Sequence, residues 1–303
     1  MQRYIALAVW CLGKTYYRLG NWDTSYNHID EAYGLFNTLP PGEVESQRLA
    51  CLCGIDLVYN ARHGITLQAD EVVSLAWDVE KKCAALSDGL VHGCSLLGLG
   101  TALYDAQRWQ EALCYIDQAR TVFKAVGDTL HLAYAYQTIS WVHHAEHRLP
   151  DALDAIEEAW KYVELSDSQI GQIAISLDLG RTLFNTNRDT EAWKYIEIEI
   201  INASYIGDRI NAARALEYMG YGYLRRGDYQ NAYGAYEAAA EKYLGTVEAV
   251  DVELCKKNMA RIEWKQENPN TVVGFYRPSM DFDKTLFYPP VQAFASEPPI
   301  SHS

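Results

Sequence analysis

Apolar residues along this chain recur three and four positions apart, in long stretches broken by short polar runs. That spacing predicts amphipathic helices, and the polar runs predict the turns between them. Residues 222–240, GYLRRGDYQNAYGAYEAAA, carry the pattern in miniature. Arg225-Arg226-Gly227-Asp228 separates two stretches with small and aromatic residues at helical spacing, which predicts a helical hairpin. The hairpin repeats. Gly220 is followed by Ala232, Tyr236 and Ala239; forty residues earlier Gly180 is followed by Ala192, Ile196 and Glu199. Ser140 leads to Ala152, Ile156 and Ala159, Gly100 to Ala112, Ile116 and Ala119, and Gly13 to Ser25, Ile29 and Ala32. A copy around Gly54 is degraded, its second half displaced toward ADEVVSLAWDVEKKC. A fixed period of this size signals a stack of supersecondary units.

Packing gives these positions their residue types. A small residue in a first helix lets the second helix approach, and each unit then buries its remaining apolar face against the next. Polar turns fall at 18–23, 106–111, 147–151, 187–191 and 225–230, and Pro150 sits where a first-turn proline is tolerated. Gly127-Asp128 and Gly207-Asp208 flank Asp167-Ser168 at the same period, Gly to end one helix and Asp to cap the next.

Leu12-Gly13-x2-Tyr16, Leu179-Gly180-x2-Leu183 and Met219-Gly220-x2-Tyr223 resemble the L-G-x2-Y element of tetratricopeptide repeats. Ala112-x3-Ile116, Ala192-x3-Ile196 and Ala232-x3-Tyr236 resemble its A-x3-F element. The resemblance implies an all-α fold, a right-handed α-solenoid of antiparallel helix pairs. About six repeats are expected, near 4–38, 44–86, 90–126, 129–166, 169–206 and 209–244, with a capping helix over 246–266. Two departures stand out. The period is forty rather than thirty-four, and Glu199 replaces a small residue, which suggests local loosening. Long repeats with Gly-Asp linkers resemble the sensor arms of signal-transducing ATPases and regulators. No P-loop accompanies them here, and the chain is compatible with a fragment of a larger regulator. The repeat domain spans 1–267. Residues 268–303 hold six of the nine prolines and six Phe and Tyr residues, so an irregular tail packed on the array is expected.

Composition narrows the function. The 303 residues are 49% hydrophobic and carry a net charge of −14, which disfavours a phosphate backbone as partner. The longest uncharged run, 89–104, is too short and Gly-rich to span a bilayer, and YIALAVWCLG near the start reads as a helix rather than a leader. Seven cysteines without a CxxC read as buried thiols of a reducing, cytoplasmic setting.

In the tetratricopeptide family first-helix residues line the concave surface. Transferring that register nominates Trp10, Lys14 and Tyr17 (with Arg18), then Tyr104 with Asp105, then Tyr134, Gln137, Trp141 and His144. It continues with Arg181 and Phe184 (with Asn185), then Arg214, Glu217 and Tyr221 (with Arg225). The wall they form is aromatic and partly cationic, which suits recognition. His143 and His147 stand four apart, a spacing able to chelate a metal, but no third ligand is evident and HExxH is missing. Glu157-Glu158 and Glu197/Glu199 read as solvated second-helix faces. No catalytic motif stands out, so no metal or cofactor is expected. The reading is a non-enzymatic protein- or peptide-binding scaffold, possible partners including its own tail. The alternative is a small-molecule sensor or enzyme with a pocket closed by the tail, where His144 would be the acid–base residue.

Overall fold

A computed structural model describes residues 2–18, 21–40, 44–62, 67–244, 249–276, 278 and 287–288. Helices α1 (Gln2–Arg18) and α2 (Trp22–Asn37) form the first hairpin, and α3 (Val44–Ala61) and α4 (Ala69–Ala84) the second. The series continues with α5 (Gly89–Asp105) and α6 (Trp109–Val126), then α7 (Thr129–Ala145) and α8 (Leu149–Leu165). It proceeds with α9 (Gln169–Asn185) and α10 (Asp189–Ile206), then α11 (Arg209–Arg225) and α12 (Tyr229–Tyr243), and closes with α13 (Ala249–Glu267). The fold is an all-α solenoid of helix pairs. The chain divides into two compact units, Met1–Gly171 and Gln172–Ser303.

Each hairpin closes at the small residue of its first helix. A Cβ on Gly100 would lie 2.5 Å from Ile116 Cγ1, and one on Gly180 2.8 Å from Ile196 Cδ1. In these hairpins, and at Gly13, the facing side chain is therefore the residue sixteen positions on, while the residue at twelve presents its carbonyl; in the second hairpin Gly54 faces Val79 instead. Where serine occupies either position it reaches across: Ser140 Oγ donates to Ala152 O at 2.8 Å, and Ser25 Oγ to Gly13 O at 2.8 Å.

The backbone repeats with the sequence. Gln107, His147, Asn187 and Gly227 all adopt φ between 58° and 72°, each ending a first helix. Gly127, Asp167 and Gly207 do the same after second helices, at 73°, 51° and 76°. Asp and Asn tolerate this left-handed conformation better than most residues, which is why the linker can read Asp167-Ser168 without glycine. Asp88, Asp128, Asp208 and Asp228 cap the helices that follow by accepting from the backbone N–H three residues on. Three second helices begin instead with an arginine clasping the acid three residues later: Arg108–Glu111, Arg148–Asp151 and Arg188–Glu191.

Two sequence readings are corrected. Glu199 is not solvated but fully buried, accepting from Ser176 Oγ at 2.7 Å. Its position in the other hairpins holds Ala32, Ala119, Ala159 and Ala239, all fully buried, so the register points it inward. Ser176, in turn, stands where other first helices carry Leu96, Tyr136 or Leu216, so a small–large pair has become a large–small one. Glu197 is exposed, as read. The second correction concerns the histidines: α7 ends at Ala145, so His147 leaves the helix and shares no helical face with His143.

In the second unit, the first tail residues lie on the last helix. Asn258 pairs with both backbone groups of Tyr276, donating to its O at 2.9 Å and accepting from its N at 2.8 Å. Arg261 covers the Tyr276 ring at 4.2 Å, and Tyr218 Oη donates to Pro278 O at 2.9 Å. Phe275–Tyr276 (β1) pairs antiparallel with Phe287–Tyr288 (β2). The expectation that the whole tail packs on the array falls largely on residues 279–286 and 289–303, outside the described residues.

Candidate functional site

Four consecutive first helices in the first unit line a cleft of about 470 Å3. Trp10 and Lys14 come from α1; Leu52, Ile55, Asp56 and Tyr59 come from α3, with Arg62 just past its end. Helix α5 contributes Cys94, Leu97 and Thr101, and α7 contributes His131, Tyr134, Gln137, Thr138 and Trp141. Apart from the neighbours Ile55–Asp56 and Gln137–Thr138, successive lining residues within each helix are three or four apart, so each helix presents one face.

The charges in this wall are already paired. Lys14 Nζ lies 3.3 Å from Asp56 Oδ2, and Trp10 Nε1 donates to the same oxygen at 2.9 Å. Lys14 also stands 5.1 Å from the Trp10 ring centroid. The Arg62 guanidinium forks onto Asp105, with Nη2 at 3.2 Å from Oδ1 and Nε donating to Oδ2. His131 Nδ1 lies 2.9 Å from Asp128 Oδ2, and its ring stacks on Phe123 and meets Tyr134 edge-on. The Thr101 and Thr138 hydroxyls donate back to carbonyls of their own helices. Burial pushes the Cys94 thiol up to about 12, so it stays protonated and acts as an apolar wall group. What remains toward the space is mostly aromatic and aliphatic surface, with the Gln137 amide among it, a setting for an apolar group rather than a free charge.

Five residues nominated from sequence meet here: Trp10, Lys14, Tyr134, Gln137 and Trp141. Tyr104 is buried, its ring centroid 6.1 Å from that of Trp141, and Asp105 holds Arg62. Tyr17 is partly exposed on α1, and the Arg18 side chain lies outside the described residues. His144 is half-buried and does not line the cleft.

The remaining nominees belong to the second unit. Phe184 is fully buried with its ring edge against Trp193, a packing residue with no surface to offer a ligand. Arg181 is buried beside Asp178 at 3.0 Å. Glu217 is buried, accepting from Tyr243 Oη at 2.7 Å. Asn185, Arg214 and Tyr221 are half-buried, and Arg225 binds Asn187 Oδ1 at 2.6 Å and Asp189 at 3.2 Å.

The α3 contribution had no nominee. Offsets of one and five from Gly54 give Ile55 and Tyr59, so the signal existed in a repeat whose second half had drifted. Among the described residues no group of His, Cys, Asp or Glu is placed to hold a metal ion, and no helix is long and apolar enough to cross a membrane.

The tetratricopeptide repeat family model matches residues 92–161. No curated protein sequence matches the chain. Among solved structures, aspartyl phosphate phosphatase F from Bacillus subtilis is similar at 15% identity and a TM-score of 0.55, over 82% of this chain and 62% of that one. This chain thus spans less than two thirds of that protein's length. The Rap conjugation gene regulator of the plasmid pLS20, solved with a Phr peptide, gives 20% identity and a TM-score of 0.53, over 84% of this chain and 72% of that one. A signal transduction ATPase with a tetratricopeptide repeat sensor from Pyrococcus horikoshii gives 16% and 0.57, over 84% of this chain and 39% of that one. At such identities the likeness is one of fold. Together with the matched segment and the repeat register, it shows a helical-repeat fold in which residues 92–161 match tetratricopeptide repeats.

Proposed function

We propose that this protein is a non-enzymatic binding scaffold whose first-unit cleft holds a peptide, or an exposed segment of a partner protein, by an aromatic or large aliphatic side chain. The observation that carries this reading is the cleft itself, where first helices of four successive hairpins converge on aromatic surface with its charges internally paired. A ligand need bring no compensating charge, and burial of one apolar anchor supplies on the order of 2 kcal/mol. A fold relative solved with a Phr peptide is consistent with the same use of such an array. The cleft volume also lies within the usual range of small-molecule sites, which supports an apolar small ligand as the second reading.

Selection of a displayed random peptide library on the full chain tests this. Peptides enriched in aromatic or large aliphatic residues are expected, and Trp141→Ala or Tyr134→Ala should weaken them about tenfold or more. Failure to select any peptide, or selected peptides indifferent to both substitutions, would exclude the peptide reading.

A further inference from the structure

Helix α13 keeps the register of the first helices. Val252 and Cys255 stand forty residues past Ala212 and Ala215 of α11, and all four are buried. Asn258 likewise stands forty past Tyr218, which stands at the same register position as Thr138 of α7. Arg261 shares its position with Trp141. Thr138 and Trp141 line the first-unit cleft. On α11 and α13 those two positions carry a buried tyrosine, asparagine and arginine. Together the three hold one edge of the β1 segment. An extended chain turns the N–H and C=O of alternate residues to the same edge. Arg261 Nη1 donates to Gly274 O, Asn258 holds both backbone groups of Tyr276, and Tyr218 Oη donates to Pro278 O at 2.9 Å. Two rings add side-chain contact. Arg261 lies 4.2 Å and Lys257 Nζ 5.9 Å from the Tyr276 ring centroid, and the Phe275 ring tilts against Tyr229 at 6.4 Å. Lys265 Nζ ties the connection down by donating to Pro269 O and Thr271 O.

We propose that α11 and α13 form a second peptide site, which takes an extended segment by its backbone with an aromatic ring at the centre. Gly274, Tyr276 and Pro278 of the same chain fill it in cis. The site is built from other residues than the first-unit cleft and does not depend on that assignment. Its hydrogen bonds go to backbone groups, so it tolerates many sequences but not a proline at the central position, which has no N–H for Asn258. The cations over the Tyr276 ring favour an aromatic side chain there. A partner segment of this chemistry therefore competes with the chain's own. The short connection from α13 keeps the cis segment at an effective concentration on the order of 1 mM, so a free segment binds weakly until the cis one is released.

Fluorescence anisotropy of a labelled TVVGFYRPS peptide, residues 271–279, on the full chain tests this. Binding to the parent chain is expected to be weak. Tyr276→Pro in the chain removes the N–H that Asn258 accepts and should tighten peptide binding about tenfold or more. In that background Asn258→Ala should abolish the gain. The milder Tyr218→Phe, which removes only a hydroxyl, should weaken binding about fivefold. Trp141→Ala should leave it unchanged, which separates this site from the first-unit cleft. The proposal is overturned if Tyr276→Pro brings no gain, if the gain survives both Asn258→Ala and Tyr218→Phe, or if Trp141→Ala removes it.

Discussion

At the residue scale, the most telling feature is an acid where the repeat calls for alanine. Glu199 is enclosed with one oxygen on Ser176 and the other without a partner, and Asp178 and Asp208 add negative potential nearby. Burial is the largest influence and raises its pKa from 4.5 to about 8. Burial likewise raises Glu217 to about 7, against the Tyr243 hydroxyl that favours its charged form. Both carboxyls hold a proton more tightly folded than unfolded. Their contribution to stability is therefore full below about pH 4.5 and is lost as pH rises through about 7 to 8. We expect the thermal midpoint to fall between pH 5 and pH 8.5, and Glu199→Gln to flatten that fall because the amide keeps an acceptor for Ser176 without the charge. A midpoint independent of pH in the parent chain would refute a buried, protonated Glu199.

At the element scale, the hairpin is governed by one close approach. Gly100 leaves no room for a methyl group 2.5 Å from Ile116, so Gly100→Ala should cost about 1–3 kcal/mol in denaturant unfolding. Ser140→Ala tests the same contact differently, removing only the bond to Ala152 O, and should cost about 1 kcal/mol. Equal stability of Gly100→Ala and the parent chain would show that the helices do not meet there. The fold was legible because this approach imposes a small residue at 100, 140, 180 and 220, and Gly, Asn or Asp fills five of the seven left-handed turns among the described residues, Gln107 and His147 being the others. The cleft was half legible. Trp10, Tyr134 and Trp141 announce themselves by size and register, whereas Leu97 and Cys94 look like any core residue, and Asp56 works only through a partner on another helix. Glu199 was misread because its residue type suggested exposure while the register required burial, and Phe184 because the register that nominated it leaves Tyr17 exposed but sets Phe184 against Trp193.

At the scale of the whole molecule, an acidic chain holds an electrostatically self-satisfied cleft. A ligand seated there should feel little of the net charge of −14. We expect the dissociation constant of a selected uncharged peptide to change less than about threefold between roughly 0.05 and 0.5 M salt. A steep loss with salt would mean that binding uses the outer charges instead.

The central claim is that the cleft of α1, α3, α5 and α7 is where the ligand sits. The most direct measurement is photo-cross-linking. A selected peptide would carry benzoylphenylalanine at its anchor position, and mass spectrometry would locate the adducts. We expect adducts on peptides containing Tyr134 to Trp141 or Ile55 to Tyr59, suppressed by unlabelled peptide. Competable adducts confined to other helices would contradict the assignment of the cleft.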